Sequence, residues 1–387
     1  MLARAATRTL VVCRCIADSV TRRERGVVSL NVGTCDIHEV DGGMSNSEPL
    51  VSIVIPAYNP RFFELALASA LGQDYGNLEI LVCDDSAGEA IGRVCERRRD
   101  DRVEYVRNPA NLGFAGNFTQ CFRRARGEYL KFLNDDDVLD PSCVSRMVAE
   151  FGIHGDRVTL VTSRRRLIDA HGAALPDGPA NKPPVAVTGF LDGRALANAV
   201  LVRSVNVIGE PTTVMFRKRD VEIADDNLFM LNGVGYTCFA DLSLWLRLLG
   251  KGGAVYIVEP LSFCRIHAGQ EQRKPSVAIA CLTERFHLVA AGVHLGFLDT
   301  PDLYARAMRT VARMFRARLS GPRLDEGARA QLEALWHEIP AQFRDASSAA
   351  AAGAVPGTWT MTMRKGVRFG RRILSAALRR LAGVGLK

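Results

Sequence analysis

The chain has 387 residues, 48% of them hydrophobic and 24% charged, which suits one large α/β domain with appendages, or two domains, and excludes a disordered or fibrous protein. Its net charge of +8 does not point to nucleic acid, because the excess sits in residues 361–387. There Arg364, Lys365, Arg368, Arg371, Arg372, Arg379, Arg380 and Lys387 occur with no acidic residue, and the rest of the chain is balanced.

Residues 1–48 form an Arg-rich leader without hydrophobic periodicity. Two origins fit it: an organelle-targeting peptide, against which Asp18 and Glu24 speak, or translation that starts at Met44, which is favoured. From residue 50 strand and helix patterns alternate. Residues 51–55 are a β-branched run ended by Pro56, 62–71 have helical spacing, and 78–83 are a second apolar strand ended by Asp84-Asp85-Ser86. Residues 91–99 and 114–126 read as helices, and 103–106 and 128–133 as strands. The last of these runs into Asn134-Asp135-Asp136-Asp137.

Apolar strands spaced by helices predict an α/β protein with a mostly parallel sheet covered on both faces. Ligands collect at the carboxyl ends of such strands, so Tyr58-Asn59, Asp84-Asp85-Ser86 and Asp135–Asp137 are expected along one edge. A loop at residues 176–184, rich in Pro, Gly and Asn, divides the catalytic region 49–275 into halves 49–151 and 185–275. A strand at 212–216, a helix at 242–249 and a strand at 254–258 follow. Arg164-Arg165-Arg166 reads as a solvated face. Residues 276–346 are a helical extension and 347–357 a linker. Residues 358–387 are a basic amphipathic tail that either docks on an anionic membrane or packs on the protein's own body. No stretch approaches the roughly 20 apolar residues that span a bilayer, and the scattered cysteines lack zinc spacing. Reduced thiols in a cytoplasmic protein, peripheral to the inner face of a membrane at most, are expected.

Three adjacent carboxylates at a buried strand end repel one another and need compensation. Asp135, Asp136 and Asp137 either form a solvated turn with one helix cap, or share an oxygen-seeking Mn²⁺ or Mg²⁺ whose shell water and substrate phosphates complete. Two further polar strand ends in line favour the metal. Asp84-Asp85-Ser86 suits either helix capping or recognition of a base or ribose. Asp241 begins a helix and is either its cap or a carboxylate projected into the cleft as general base. His267, beside Arg265, is either structural or part of a metal shell, and Arg suits phosphate.

These residues resemble the nucleotide-binding half of family-2 glycosyltransferases of the GT-A fold. The likeness is carried by Val51-Ser-Ile-Val-Ile-Pro-Ala-Tyr-Asn59, Ser69-Ala-Leu-Gly-Gln73, Asp84-Asp-Ser86, Asn111-Leu-Gly113 with Asn117, Gly127-Glu-Tyr129 and Leu133-Asn-Asp-Asp-Asp-Val-Leu139, in unbroken order. Glu210-Pro-Thr-Thr-Val-Met-Phe216, Phe239-Ala-Asp-Leu-Ser-Leu-Trp245 and Arg265-Ile-His267 more thinly resemble the acceptor half. The resemblance implies a nucleotide diphosphate sugar as donor and a glycan or lipid-linked acceptor. It implies nucleotide-sugar contacts at Pro56, Tyr58, Asn59, Asp85, Asn111, Asn117 and Asp135, and metal contacts at Asp136, Asp137 and His267. Asp241 stands in the place of the catalytic base of an inverting transfer, with Arg265 and Glu210 as weaker diphosphate or acceptor contacts. Asn134 stands where many members carry the first Asp, and Ala240 where an acidic residue often precedes the base. The alternative is a non-catalytic nucleotide-sugar or glycan-binding module. A dinucleotide oxidoreductase is excluded because Pro56-Ala-Tyr-Asn59 replaces the Gly-rich turn.

Overall fold

A computed structural model of the protein describes residues 48–178, 180–268, 275–321 and 326–339. The leader up to residue 47, the 347–357 linker and the basic tail lie outside the described residues.

Strand β1 (Val51–Ala57) is buried at every position, as expected of a strand flanked on both edges and covered on both faces. It pairs in parallel with β2 (Leu78–Asp84) on one side and β4 (Tyr129–Phe132) on the other, and β3 (Val103–Arg107) pairs with β2. Beyond β4 the order continues through β8 (Val214–Arg217), β6 (Val158–Ile168), β11 (Gly253–Arg265) and β5 (Val138–Leu139), with β7 (Gly189–Leu191) also on β11. Strands β1, β2, β3, β4, β6 and β11 run one way, whereas β5, β7 and β8 run the other. The sheet is therefore mostly parallel. A small hairpin of β9 (Met230–Leu231) and β10 (Val234–Gly235) turns at Asn232-Gly233, both with positive φ, the Asn-Gly chemistry that such turns demand.

Side chains alternate between the faces, as the strand period of two requires. Ile53, Ile55, Ile80 and Val82 pack against α1 (Pro60–Leu71), α2 (Ala90–Arg97) and α4 (Cys143–His154). Val54, Leu81 and Cys83 face the opposite core, which α3 (Gly113–Arg124), α5 (Gly193–Arg203) and α6 (Ala240–Leu249) share with α7 (Pro275–His294), α8 (Pro301–Leu319) and α9 (Glu326–Glu338). Among the described residues no helix is long and apolar enough to cross a membrane.

Several expectations are corrected. Pro56 does not end β1. The carbonyls of Val54 and Ala57 bond toward β4 and β2 respectively, so the Pro56 nitrogen faces β4 beyond Val54, the last residue paired there. Its missing N–H costs no ladder bond. The expected strand at 254–258 continues to Arg265 as β11, and residues 158–168 form a further strand beside it. In β6 the alternation turns Arg165 inward to 3% exposure while Arg166 faces solvent, so the three arginines are not one solvated face. Nor are all cysteines reduced, because Cys238 and Cys281 form a disulfide.

Trp245 on α6 is fully buried, meets Phe216 edge-on, and its indole N–H donates to the Gly209 carbonyl at 2.9 Å. Trp245→Ala is expected to cost about 3–5 kcal/mol of stability, read as a lower midpoint in urea. A loss under about 1 kcal/mol would show that the helix is held by other contacts.

Candidate active site

The chain order of the strands decides what meets at one edge. Strands β1, β2, β4, β6 and β11 all deliver their carboxyl ends there. Strand β8 runs the opposite way, so the segment that enters it, residues 206–213, arrives at the same edge.

The acidic turn is built where β4 stops. One oxygen of Asp135 accepts the backbone N–H groups of Tyr58 and Asn59, each at 2.7 Å, and so joins the end of β4 to the end of β1. Burial raises its carboxyl to about 6 against the pull of those two N–H groups, and the charge of Asp136 adds to the rise. Asp136 keeps its carboxylate at the edge, with Oδ2 3.1 Å from His267 Nε2, and the His267 ring stands 5.1 Å from that of Phe62. Asp137 points the other way. It is 1% exposed, and its oxygens accept from the Arg265 backbone N–H at 2.9 Å, the Thr212 hydroxyl at 2.7 Å and the Asn134 amide at 3.1 Å. Burial, then the charge of Asp136, pushes its carboxyl well up. Asp137 thus braces the turn from inside.

Arg265 is also drawn inward. It is 2% exposed, donates from Nε to the Asp136 carbonyl at 2.8 Å and from Nη1 to the Asp169 carbonyl at 3.1 Å, and lies 4.6 Å over the Phe62 ring. It shapes the acidic turn from behind. No group of three or more His, Cys, Asp or Glu among the described residues is arranged to hold a metal. Asp136 and His267 nevertheless fit part of a shell for Mn²⁺ or Mg²⁺, since such ions commonly take one or two protein ligands and fill the rest with water and phosphate oxygens.

On the second half of the edge, Asp241 lies in the first turn of α6. Its Oδ1 accepts the Leu242 N–H at 2.7 Å and its Oδ2 the Asn206 amide at 2.9 Å. Burial first, then the charge of Glu210, raises its carboxyl to about 7, opposed by the Leu242 N–H and Arg165. Glu210 in turn lies 2.6 Å from Arg165 Nε. Its charge also bears on Asp137, so residues 206–212 link the acidic turn to Asp241. Arg165→Ala would leave Glu210 beside Asp241 without its cation. The expected result is a loss of roughly 3 kcal/mol in urea unfolding and a further rise of the Asp241 pKa, since a positive neighbour is removed. An acid limb of activity left in place would refute that coupling.

At the β2 end, Asp85 is 4% exposed and accepts from the N–H groups of Leu112 and Gly113 and the Asn108 amide, at 2.8, 3.0 and 2.9 Å. Three of roughly four lone-pair sites are thereby occupied: it anchors the start of α3. Asn117 is likewise internal, 3% exposed, with its amide bonded to the carbonyls of Ala57 and Cys83. It ties β1 to β2. Asn111 is exposed and bonds the Asp85 carbonyl at 3.0 Å. Asn59 caps α1 through Arg61 N–H at 3.1 Å, and Pro56 is buried in β1. Tyr58 is 62% exposed.

Sequence reasoning overlooked Thr212, Arg165 and Lys131. Lys131 is fully buried beneath the turn and donates to the Thr212 carbonyl. The two-residue alternation of 158–168 was a usable signal for Arg165, whereas nothing local marks Thr212.

The family model described as glycosyl transferase family 2 matches residues 52–207. The chain is 35% identical over 100 residues to WfaP of Escherichia coli, a UDP-Glc:alpha-D-GlcNAc-diphosphoundecaprenol beta-1,3-glucosyltransferase, covering 26% of this chain and 40% of WfaP. It is 32% identical over 133 residues to the chondroitin synthase of Escherichia coli, covering 34% of this chain and 19% of the synthase. The chain thus spans less than half the length of either relative. The solved structure of S. aureus TarS 1–349 with UDP-GlcNAc is similar with a TM-score of 0.44 at 15% identity, covering 81% of this chain and 78% of that one.

Proposed function

We propose that this chain, whose residues 52–207 match the family model of glycosyl transferase family 2, moves a sugar from a nucleotide diphosphate sugar to an acceptor hydroxyl with inversion. One observation carries the reading. Asp136 with its partner His267, and Asp241, which lies 105 residues after Asp136 in the chain, come to a single sheet edge and are bridged there by residues 206–212.

In this reading Asp241 accepts the proton of the acceptor hydroxyl as its oxygen bonds to the anomeric carbon. The bond from that carbon to the diphosphate breaks on the opposite side, and the nucleoside diphosphate leaves with the electron pair. Asn206 holds the carboxylate of Asp241 in place through its 2.9 Å bond. Asp136 and His267 would seat a divalent cation, which supplies charge neutralisation for the departing diphosphate. Tyr58 offers an open ring for the base, and Asp135 sets the backbone that presents it.

The name of WfaP pairs a uridine diphosphate sugar with a lipid-diphosphate-linked acceptor, so those two classes are proposed first for this chain. The reading is tested by thermal-shift screening against a panel of nucleotide sugars with Mn²⁺, followed by measurement of nucleoside diphosphate release. Stabilisation by a donor together with Mn²⁺-dependent release on adding acceptor supports a transferase. Donor binding with no release under any acceptor would leave a binding module in its place.

A further inference from the structure

Helix α6 begins without a side-chain cap of its own, because Phe239 occupies the cap position. Its entry segment is held instead by α7. The Glu284 carboxylate, 3% exposed, accepts the N–H and hydroxyl of Thr237 at 2.9 and 2.7 Å and the N–H of Phe239 at 2.8 Å. Between those two residues, Cys238 is bonded to Cys281, one turn before Glu284 on the same helix face. The next residue, Arg285, stacks 4.5 Å over the Phe239 ring and donates to the carbonyl and hydroxyl of Ser204. Ser204 closes α5 with a φ of 56°, two residues before Asn206, whose amide holds Asp241. A short stretch of α7 therefore grips both segments that fix the Asp241 carboxylate.

We propose that Cys281, Glu284 and Arg285 of α7 act together as positioning residues for Asp241, clamping the entry of α6 and the Ser204–Asn206 bend. All three lie beyond the part of the chain that the family model matches. The clamp lends a negative carboxylate to the N-terminus of α6, where the helix dipole favours one, and a covalent tie next to it. It rests on Asp241 being the base, and the experiment separates the two claims.

Glu284→Gln puts an amide N–H₂ against donors that need an acceptor, so the segment should loosen. The expected result is a roughly 10- to 100-fold fall in kcat, the range that a misplacement of about 1 Å produces, with donor KM within about twofold. Deuterium uptake of a peptide covering 237–242 should rise while that of 113–133 is unchanged. Thr237→Ser keeps the hydroxyl bond and should retain wild-type kcat, whereas Thr237→Val should lose it in part. If Glu284→Gln does not fold, the double substitution C238S/C281S decides, with the same split expected at a smaller size. Wild-type kcat and wild-type uptake at 237–242 in the folded variant would overturn the clamp. Near-normal transfer by Asp241→Asn would instead remove the base, while the uptake of 237–242 in Glu284→Gln would still report on the clamp itself.

Discussion

Asp241→Asn should lower transfer about 10²- to 10⁴-fold, the usual contribution of a general base, while nucleoside diphosphate binding stays within about twofold. Asn keeps the size of the side chain but cannot take the proton from the acceptor hydroxyl. Binding is spared because Tyr58, Asp135 and Asp136 lie on the other half of the edge, linked to Asp241 through residues 206–212.

The same residue sets the pH profile. Only the ionised carboxylate is a base, and burial with the charge of Glu210 holds its pKa near 7. Transfer should therefore rise with pH through about 7 and fall about tenfold for each unit below it, since the ionised fraction does so. Arg165 opposes the rise, which is why its removal is expected to move this limb to higher pH. Near-normal turnover by the Asn variant, or a flat profile between pH 5 and 8 in the wild type, would take the base assignment away.

Asp136→Ala is expected to abolish the response to Mn²⁺ and to lower nucleoside diphosphate release by about 10²- to 10³-fold, the scale seen when one electrostatic contact to a developing anion is lost. The physical reason is the placement of the three aspartates. Asp135 accepts from Tyr58 and Asn59, Asp137 is locked between Arg265, Thr212 and Asn134, and Asp136 alone presents its carboxylate beside His267. His267→Ala should weaken the apparent Mn²⁺ affinity by a smaller factor, because phosphate and water oxygens complete the shell. A Mn²⁺ titration of release rates separates these outcomes, and an Asp136→Ala variant with wild-type metal dependence would move the metal elsewhere.

Much of the framework was legible in the residues. Continuous apolar runs at 51–55 and 78–83 and the helical spacing of 62–71 are properties of adjacent residues, and burial on both sheet faces imposes them wherever such a strand lies. The order of the polar strand ends was equally visible, because parallel topology alone carries Tyr58, Asp85 and the acidic turn to one edge. Strand 158–168 was hidden because charged residues interrupt it, although its parity already set Arg165 apart from its neighbours.

The local sequence thus determined the parallel strands β1, β2 and β4 and the polar ends they bring to one edge. Tertiary structure alone decided which of three consecutive aspartates stands beside His267, that Asn117 and Asp85 brace the scaffold, and that Arg265 turns inward. It also brought Arg165, Asn206, Glu210 and Glu284 around Asp241. The reason lies in the reach of the forces. Periodic burial acts over a few residues and leaves its mark in the pattern, whereas side-chain direction in a turn depends on partners 70 to 130 positions away. Those partners become neighbours only after the strands have been ordered in space.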